Sequence, residues 1–441
     1  MTSSTQARTA ELGPVASVRA ETLSMPGDKS LSHRAIMFGS LARGTSSYTN
    51  MLAGEDCVCT RRAFEAMGVR ITSPDPTRVT IEGAGFDGLR QPPADLYMGN
   101  SGTSMRLLLG ILAGQPFTAT LTGDPSLSSR PMRRVTAYLR QMGAVIDGRD
   151  DANYAPLTIT GGALKGMDFK LNVSSAQVKS ALLLAGLRAS GTTSVAEPVL
   201  SRDHTERFLR HYGARVDVEG LAVRVTGGQS LMARSFEIAG DISSAAFFIA
   251  IGCLVPQADI RLRNVLWNPT RTGIIDVLRR SGADLTVERT AESGPEPVAD
   301  LRVRPGRLRA FVVERQELPA LIDEVPILSV LATQAEGVSV FRDADELRVK
   351  ETDRIRSMIE LLTRMGAKAW AEGNSLFVEG PCQLSGADLE SYGDHRTAMS
   401  GIVAALIAKG RTRMRDIDCI NTSFPSFFEL LGQLGIPYEI G

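Results

Sequence analysis

The sequence predicts an α/β protein with two inside-out α/β domains, each of three β-α-β-α-β-β repeat units with buried helices and outward-facing sheets. The first observation is a helix-like segment that runs into a glycine and then into a short alternating stretch. It occurs six times, and subtraction gives glycine spacings of 75, 70, 69, 84 and 69 residues. Self-similarity at a fixed period is typical of repeat architectures. The glycines are Gly68, Gly143, Gly213, Gly282, Gly366 and Gly435.

A second marker keeps the same period, because apolar helical runs follow polar starts at residues 27–30, 99–103, 174–177, 240–244, 323–324 and 393–396. Two independent markers indicate six copies of one unit, which divide naturally into two groups of three. They also place six polar helix N-termini in equivalent positions. Unpaired N–H groups and the helix dipole make such termini suitable for anions.

The elements of the first copy follow in order. Residues 29–42 have a helical spacing of apolar side chains, 46–50 are predicted as a strand, 56–67 as a second helix, and 69–71 with 78–81 as a hairpin. The second copy repeats this order at 106–114, 118–122, 131–142, and 144–146 with 157–159. One helix in each copy is nearly all apolar, so we expect it to be buried on all sides, whereas its companion mixes Arg and Glu and should face solvent.

Composition limits the classes of function. The 441 residues carry a net charge of zero, which favours neither nucleic acid nor an anionic membrane as a partner. The longest apolar stretch, residues 245–255, is shorter than the ~20 residues that span a bilayer. The first 19 residues lack the apolar core of a signal peptide, and we interpret about the first 15 as a disordered tail. The expected location is therefore cytoplasmic.

The five cysteines are scattered without a CxxC pair, and the four histidines show no HExxH spacing. Neither a disulfide framework nor a metal site is indicated. No cofactor is expected.

The densest chemical segment is residues 26–34, which places Lys29, Ser30 and Arg34 within two turns of a helix start. Burying Lys and Arg in an otherwise apolar helix is costly without an anionic partner, so the segment indicates a phosphate or carboxylate site. The alternative is an N-cap with a solvated charge pair. Two further helix starts carry Gly102, which would let a ligand approach the backbone, and Arg130.

The second half of the chain has six charges in residues 348–356, among them Lys350, Glu351 and Arg354. Charge runs are usually solvated faces, but this one opens a helix at an equivalent point of the repeat. Asp323 enters a buried helix and is a candidate general base, while Arg396 starts the sixth such helix.

Together these segments resemble the motifs of the 5-enolpyruvylshikimate-3-phosphate synthase family. They occur in family order over residues 20–440, and the six repeats agree with that family's fold. The segments are Pro26-Gly27-Asp28-Lys29-Ser30 with His33-Arg34, Gly99-Asn100-Ser101-Gly102-Thr103 with Arg106, Arg130-Pro131-Met132, Ser175-Ala176-Gln177, Arg202-Asp203-His204-Thr205, residues 348–354, Asp394-His395-Arg396 and Thr422-Ser423-Phe424-Pro425.

The resemblance implies transfer of the enolpyruvyl group of phosphoenolpyruvate to the 5-hydroxyl of shikimate 3-phosphate, with release of phosphate. It implies that Asp323 accepts the hydroxyl proton and that Glu351 or Lys29 protonates the methylene carbon. The implied ligands of shikimate 3-phosphate are Lys29, Ser30, Arg34, Ser175, Gln177, Arg202, Asp323 and Lys350. Those of phosphoenolpyruvate are Lys29, Gly102, Arg130, Gln177, Arg354 and Arg396.

Domain boundaries follow from the repeats. Residues 1–24 with 240–441 are expected to form one domain and residues 25–239 the other, with the active site in the cleft between them and closure on substrate. The protein is expected to be a monomer whose partners are these small anions.

The chain departs from the family pattern at Ser423, where many members have Lys, and at Ala176, where many have Ser and where Ser174 is a possible substitute. The nearest rival is the sister transferase acting on UDP-N-acetylglucosamine, which usually has Lys-Asn in the first motif and a reactive Cys near Arg130. Here Lys29-Ser30 stands, and residues 114–140 hold no Cys. A third possibility is a non-catalytic anion-binding protein.

The resemblance also concerns glyphosate, which occupies the phosphoenolpyruvate site in this family. Leu107 and Ser175-Ala176-Gln177 resemble tolerant members, whereas Gly102 favours sensitivity. Weighting Gly102 more, we expect inhibition competitive with phosphoenolpyruvate.

Overall fold

The computed structural model describes residues 7–441 and divides the chain into two compact units. Unit 1 contains the segment up to Pro26, Gly240–Ala291 and Pro297–Gly441, and unit 2 contains Gly27–Ala239 and Glu292–Glu296. The chain thus passes from unit 1 to unit 2 two residues later than the sequence predicts. The short excursion of residues 292–296 into unit 2 has no signal in the sequence pattern.

Unit 2 contains three main sheets of one design. In each, the first strand runs parallel to the second, and the second pairs antiparallel with the third. In spatial order the strands are Leu96–Tyr97, Thr118–Thr122, Tyr154–Thr160 and Val145–Gly148; Asp168–Lys170, Thr192–Ala196, Ala222–Thr226 and Val216–Glu219; and Leu231–Met232 with Phe236–Glu237, then Ala42–Thr49, Arg78–Ala84 and Arg70–Asp75. A two-stranded ribbon pairs Leu164–Lys165 with Ala189–Ser190.

Unit 1 repeats the design three times, with the same change from a parallel to an antiparallel pair. Its strands in spatial order are Glu21–Ser24, Ile260–Leu266, Glu296–Arg304 and Asp284–Ser293; Val312–Val313, Gly337–Phe341, Ser375–Gly380 and Lys368–Glu372; and Asp388–Glu390, Thr412–Arg415, Thr9–Leu12 and Glu439–Ile440.

Six core helices lie inside these sheets, and from the second turn onward their residues are almost all buried, as their nearly uninterrupted apolar sequences predict. Each fully buried Leu, Ile or Phe stabilises the fold by ~1.5–3 kcal/mol. The core helices are Lys29–Leu41, Gly102–Ala113, Ala176–Gly186, Ile242–Leu254, Val325–Ala332 and His395–Ala405.

Six outer helices bury one face each, which agrees with their mixed composition. They are Glu55–Ala66, Arg133–Met142, His204–His211, Gly273–Arg280, Arg354–Arg364 and Phe427–Gln433. Short 3₁₀ helices are found at Phe86–Gly88, Leu127–Ser129, Arg315–Ala320, Ile322–Glu324, Asp345–Val349 and Ile417–Thr422. Residues 149–152 form a turn with left-handed φ angles at Asp150, Asp151 and Ala152. The predicted fold of two inside-out domains with three repeats each is confirmed.

The six repeat glycines follow the outer helices, and all have positive φ angles, between 73° and 116°. In this left-handed conformation a helix ends and the chain reverses into the next strand, at low cost only for glycine. The regular spacing of these glycines in the sequence therefore reflects a backbone conformation that each repeat requires.

The predicted disorder of about the first 15 residues is wrong for the described part of that segment. Thr9–Leu12 is a strand between Thr412–Arg415 and Glu439–Ile440, and its residues Ala10 and Leu12 are buried. Four alternating residues are too few to predict a strand, and partners about 400 residues away supply its hydrogen bonds. Residues 1–6 of the predicted tail lie outside the described residues.

Candidate functional site

Side-chain caps differ among the core helices, and they change how strongly the helix start itself attracts an anion. Asp28, Asp241 and Asp394 cap three of them with a carboxylate, whereas Ser101 and Ser175 cap two with a neutral hydroxyl. A carboxylate cap already compensates the partial positive charge at the N-terminus of a helix. The serine-capped starts of Gly102–Ala113 and Ala176–Gly186 thus keep their attraction for a bound anion.

Lys29 lies at the first turn of its core helix, where its Nζ is 3.3 Å from Oδ2 of Asp56 on the neighbouring outer helix. Both side chains are largely covered. Asp56 was not predicted as a site residue, because an acidic residue in a first helical turn is an ordinary feature.

Arg34 points into the protein and is only 3% exposed. Its guanidinium donates to Oγ1 of Thr205 (2.9 Å), Oγ of Ser180 (2.9 Å) and the carbonyl of Ser30 (3.0 Å). Burial lowers its pKa to about 10, against the opposing charge of Glu206. Arg34 therefore braces the turn that carries Ser30, and Arg202 is near enough for its charge to act on Arg34.

His33 is fully buried between the first two repeats. Its Nδ1 is 2.8 Å from Oγ1 of Thr60, which in turn lies 2.6 Å from Oγ of Ser104. Burial, together with the charges of Lys29 and Arg34, lowers the pKa of His33 to about 3. The imidazole is therefore neutral at physiological pH.

The structure brings three predicted residues together around the second motif: Gly102, Arg130 and Gln177. Arg106 Nη1 donates to Oε1 of Gln177 (2.7 Å), and Nε2 of Gln177 donates to Oγ1 of Thr103 (2.9 Å). A Cβ atom added to Gly102 would lie 2.7 Å from Arg106 Nη1 and 3.6 Å from Arg130 Nη1. The glycine thus faces two guanidinium groups at a serine-capped helix start.

Arg130 is held by Asn100, whose Oδ1 accepts from Nη2 at 2.6 Å and whose carbonyl accepts from Nη1 at 3.3 Å. Asp124 orients Asn100 in turn, at 2.7 Å. Arg106 and Asn100 belong to the quoted family motifs, but their role as supports for Gln177 and Arg130 emerges only from the structure.

Ser175 caps its helix with Oγ, at 3.4 Å from the amide of Val178, and gives its own N–H to Oε1 of Glu197 at 2.9 Å. The preceding Ser174 bonds to both backbone groups of Val199, so its hydroxyl anchors a loop.

A second group of predicted residues gathers in unit 1 around Arg354, which is 2% exposed. The guanidinium contacts Oδ2 of Asp394 at 2.6 Å, Oε2 of Glu351 at 2.7 Å and Oδ1 of Asp323 at 3.3 Å. Burial alone would lower its pKa, but the charges of Asp394, Glu351 and Asp323 raise it above the ordinary value. Asp394 was predicted only as part of a helix start.

Asp323 is the centre of the remaining contacts in this group. Its Oδ1 lies 3.9 Å from Nζ of Lys350, and its carbonyl accepts from Nη1 of Arg396 at 3.0 Å. Three cations and three carboxylates are thus interleaved. Such a set can exchange partners when an anionic ligand arrives.

Ser423, where a lysine was noted in many family members, is 5% exposed at the end of the Ile417–Thr422 turn. The described residues contain no group of three His, Cys, Asp or Glu side chains that could hold a metal ion, and the five cysteines are free. Over the same residues, no helix is long and apolar enough to cross a membrane.

Comparisons with known proteins agree with the predicted family. A family model for EPSP synthase (3-phosphoshikimate 1-carboxyvinyltransferase) matches residues 15–431. A 3-phosphoshikimate 1-carboxyvinyltransferase of Geobacillus kaustophilus is 51% identical over 414 residues, covering 93% of this chain and 97% of the relative. One from Shouchella clausii is 49% identical over 413 residues, covering 94% of this chain and 96% of the relative.

Solved structures agree as well. EPSP synthase from Acinetobacter baumannii superposes with a TM-score of 0.89 at 44% identity, covering 98% of this chain and all of that one. The enolpyruvyl transferase NikO from Streptomyces tendae, at 19% identity and a TM-score of 0.80 over 99% of both chains, shares the fold. With a family model matching nearly its whole length and relatives about half identical to it, the chain belongs to the EPSP synthase (3-phosphoshikimate 1-carboxyvinyltransferase) family.

Proposed function

We propose that this enzyme transfers the enolpyruvyl group of phosphoenolpyruvate to the 5-hydroxyl of shikimate 3-phosphate and releases phosphate. The observation that carries the proposal is the pair of guanidinium groups, from Arg106 and Arg130, that face Gly102 at a serine-capped helix start. In a chain without net charge, this is a local site for a small anion.

The proposed ligands are the residues that the family resemblance implies. Phosphoenolpyruvate is bound by Lys29, Gly102, Arg130, Gln177, Arg354 and Arg396. Shikimate 3-phosphate is bound by Lys29, Ser30, Arg34, Ser175, Gln177, Arg202, Asp323 and Lys350. Both substrates are polyanions, so binding replaces some carboxylate partners of these cations by substrate oxygens.

The reaction proceeds by addition and elimination. The 5-hydroxyl oxygen bonds to C2 of phosphoenolpyruvate while its proton passes to Asp323, and C3 takes a proton from Lys29 or Glu351. The tetrahedral intermediate then loses a proton from C3 and phosphate from C2, which restores the double bond. The surrounding cations stabilise the negative charge of the intermediate.

Three contacts support these roles. Asp323 is fixed through its carbonyl by Arg396 and through its carboxylate by Arg354, so the base has a defined direction. Lys29 has Asp56 beside it as a partner for its ammonium. The sequence predictions of a cytoplasmic location and a monomeric state accompany this proposal.

The test is a phosphate-release assay with phosphoenolpyruvate and one acceptor at a time. Release should require shikimate 3-phosphate, and the organic product should carry the added enolpyruvyl mass. Release with UDP-N-acetylglucosamine instead would assign the rival transferase activity. Binding of both substrates without turnover would favour a non-catalytic protein.

A further inference from the structure

Lys179 is a buried cation of unit 2 that the proposed reaction does not use. It lies on the core helix Ala176–Gly186 with its side chain 1% exposed. Its Nζ is 2.9 Å from Oε2 of Glu197 and 2.8 Å from Oε1 of Glu206, and both carboxylates are as buried as the lysine. We call these three residues the buried charge cluster.

The energetics of this cluster call for an explanation. Taking charges out of water costs several kcal/mol for each ion, and apolar side chains of similar volume often stabilise a core as well or better. Compactness of unit 2 alone therefore does not account for three buried charges. The segments that the three charged side chains hold in place give the explanation.

Glu197 connects the cluster to the segment before its helix. Besides Lys179, its carboxylate accepts from the N–H of Ser175 at 2.9 Å and from Oγ of Ser201 at 2.7 and 2.8 Å. Ser175 and Arg202, which follows Ser201, are two of the proposed ligands of shikimate 3-phosphate. The carboxylate of Glu197 thus fixes two separate segments, each of which carries a proposed substrate-binding residue.

Glu206 connects the cluster to Arg34, a third residue proposed to bind shikimate 3-phosphate. Its charge acts on Arg34, and the neighbouring Thr205 accepts from Nε of Arg34 at 2.9 Å and donates to Oγ of Ser180 at 2.7 Å. The guanidinium also compensates the excess negative charge that two carboxylates leave around one lysine.

We propose that Lys179, Glu197 and Glu206 are positioning residues that hold Ser175, Arg202 and Arg34 in the geometry that binds shikimate 3-phosphate, an inference that rests on the proposed function. The cluster contacts Ser175 and Ser201 directly, whereas the proposed phosphoenolpyruvate ligands Arg130 and Gln177 are held by Asn100, Arg106 and Thr103. Loss of a contact within the cluster should therefore weaken the affinity for shikimate 3-phosphate more than the affinity for phosphoenolpyruvate.

The test compares Glu197→Gln and Ser201→Ala with the matched control Glu219→Gln, whose carboxylate is 77% exposed beside Arg224. Glu197→Gln keeps the shape but removes the charge that holds Lys179. Ser201→Ala removes one small hydroxyl and leaves every charge in place, so it folds even if the first variant does not. The measurements are the dissociation constant of shikimate 3-phosphate by calorimetry, KM for phosphoenolpyruvate, kcat and the unfolding midpoint.

Glu197→Gln and Ser201→Ala should each bind shikimate 3-phosphate about tenfold or more weakly, while KM for phosphoenolpyruvate changes by less than about threefold. Tenfold is the order expected when one charge-assisted hydrogen bond that holds a substrate-binding segment is lost. The control should match the wild type. Unchanged affinity for shikimate 3-phosphate in a folded variant would overturn the inference, as would an equal loss of both substrates.

The inference and the proposed function fail in different ways. A wild-type protein that releases no phosphate from the two substrates refutes the proposed function. A wild-type protein with full turnover whose Ser201→Ala variant keeps its affinity refutes only the positioning role.

Discussion

Replacing Gly102 by Ala tests the geometry of the proposed phosphoenolpyruvate site most directly. The added methyl carbon would lie 2.7 Å from Nη1 of Arg106, whereas carbon atoms in ordinary contact with neighbouring heavy atoms are ~3.5 Å away. The guanidinium must therefore move by about 0.8 Å. Because Nη1 is 2.7 Å from Oε1 of Gln177, such a shift lengthens or breaks that hydrogen bond.

The magnitude follows from this one bond. A hydrogen bond to a charged group contributes ~1.5–3 kcal/mol, and the flexible end of an arginine adjusts easily, so we take the lower figure. A loss of about 1.5 kcal/mol corresponds to roughly a tenfold rise in KM for phosphoenolpyruvate. Glyphosate is longer and would meet the methyl group itself, so its inhibition constant should rise by a larger factor.

The assay is an inhibition series against phosphoenolpyruvate on the wild type and the Ala variant. The wild type should show competitive inhibition by glyphosate. Gly162→Ala is the matched control, because an added Cβ there meets nothing within 4 Å. Unchanged inhibition in the Gly102 variant would show that this residue does not line the inhibitor site, and the steric reasoning would then be wrong.

Three more changes test the chemistry and the buried polar network. Asp323→Asn should lose turnover while substrate affinity changes little, because an amide keeps the shape but cannot accept the proton; a variant with near wild-type kcat would exclude Asp323 as the base. Lys29→Arg should also be severely impaired in steady-state assays, since the compact ammonium and its transferable proton are lost, and unimpaired turnover would leave Glu351 as the acid. His33 binds its proton only near pH 3 when folded and near pH 6.5 when unfolded, so stability rises with pH across that window, and acidification from pH 7 to 5 should cost ~2 kcal/mol. Chemical denaturation at the two pH values should show this loss in the wild type and a smaller one in His33→Gln, and equal losses would contradict the assignment.

The repeat architecture could be predicted because local physics fixes it. Each outer helix is followed by a glycine whose positive φ is accessible to few other residues, and each core helix carries a predominantly apolar run. Both features are visible in one sequence without knowledge of any contact. The strand Thr9–Leu12 lacks such a signal, because its stability comes from neighbours far away in the chain.

In the candidate site, too, some features are visible in the sequence and others depend on contacts between distant parts of the chain. The sequence singles out the cations and the carboxylate of Asp323, since charged residues at the start of apolar helices are conspicuous, and their binding roles stay predictions. The supports of these residues could not be predicted: Asp56 beside Lys29 and Glu197 beneath Ser175 come from other elements, and nothing in their spacing relates them to their partners. Arg34 is intermediate, because its position on the helix was foreseen but not its contacts with Thr205 and Ser180.

The pairing of Thr9–Leu12 with Thr412–Arg415 has a consequence for biosynthesis. Unit 2 is formed by residues 27–239 and a five-residue excursion, so most of its hydrogen bonds can form while the ribosome is still translating the rest. Unit 1 must keep its early strand unpaired until residue 415 has emerged. At 5–20 residues per second this wait lasts about 20–80 s, during which an unpaired strand edge is exposed to aggregation and to chaperones.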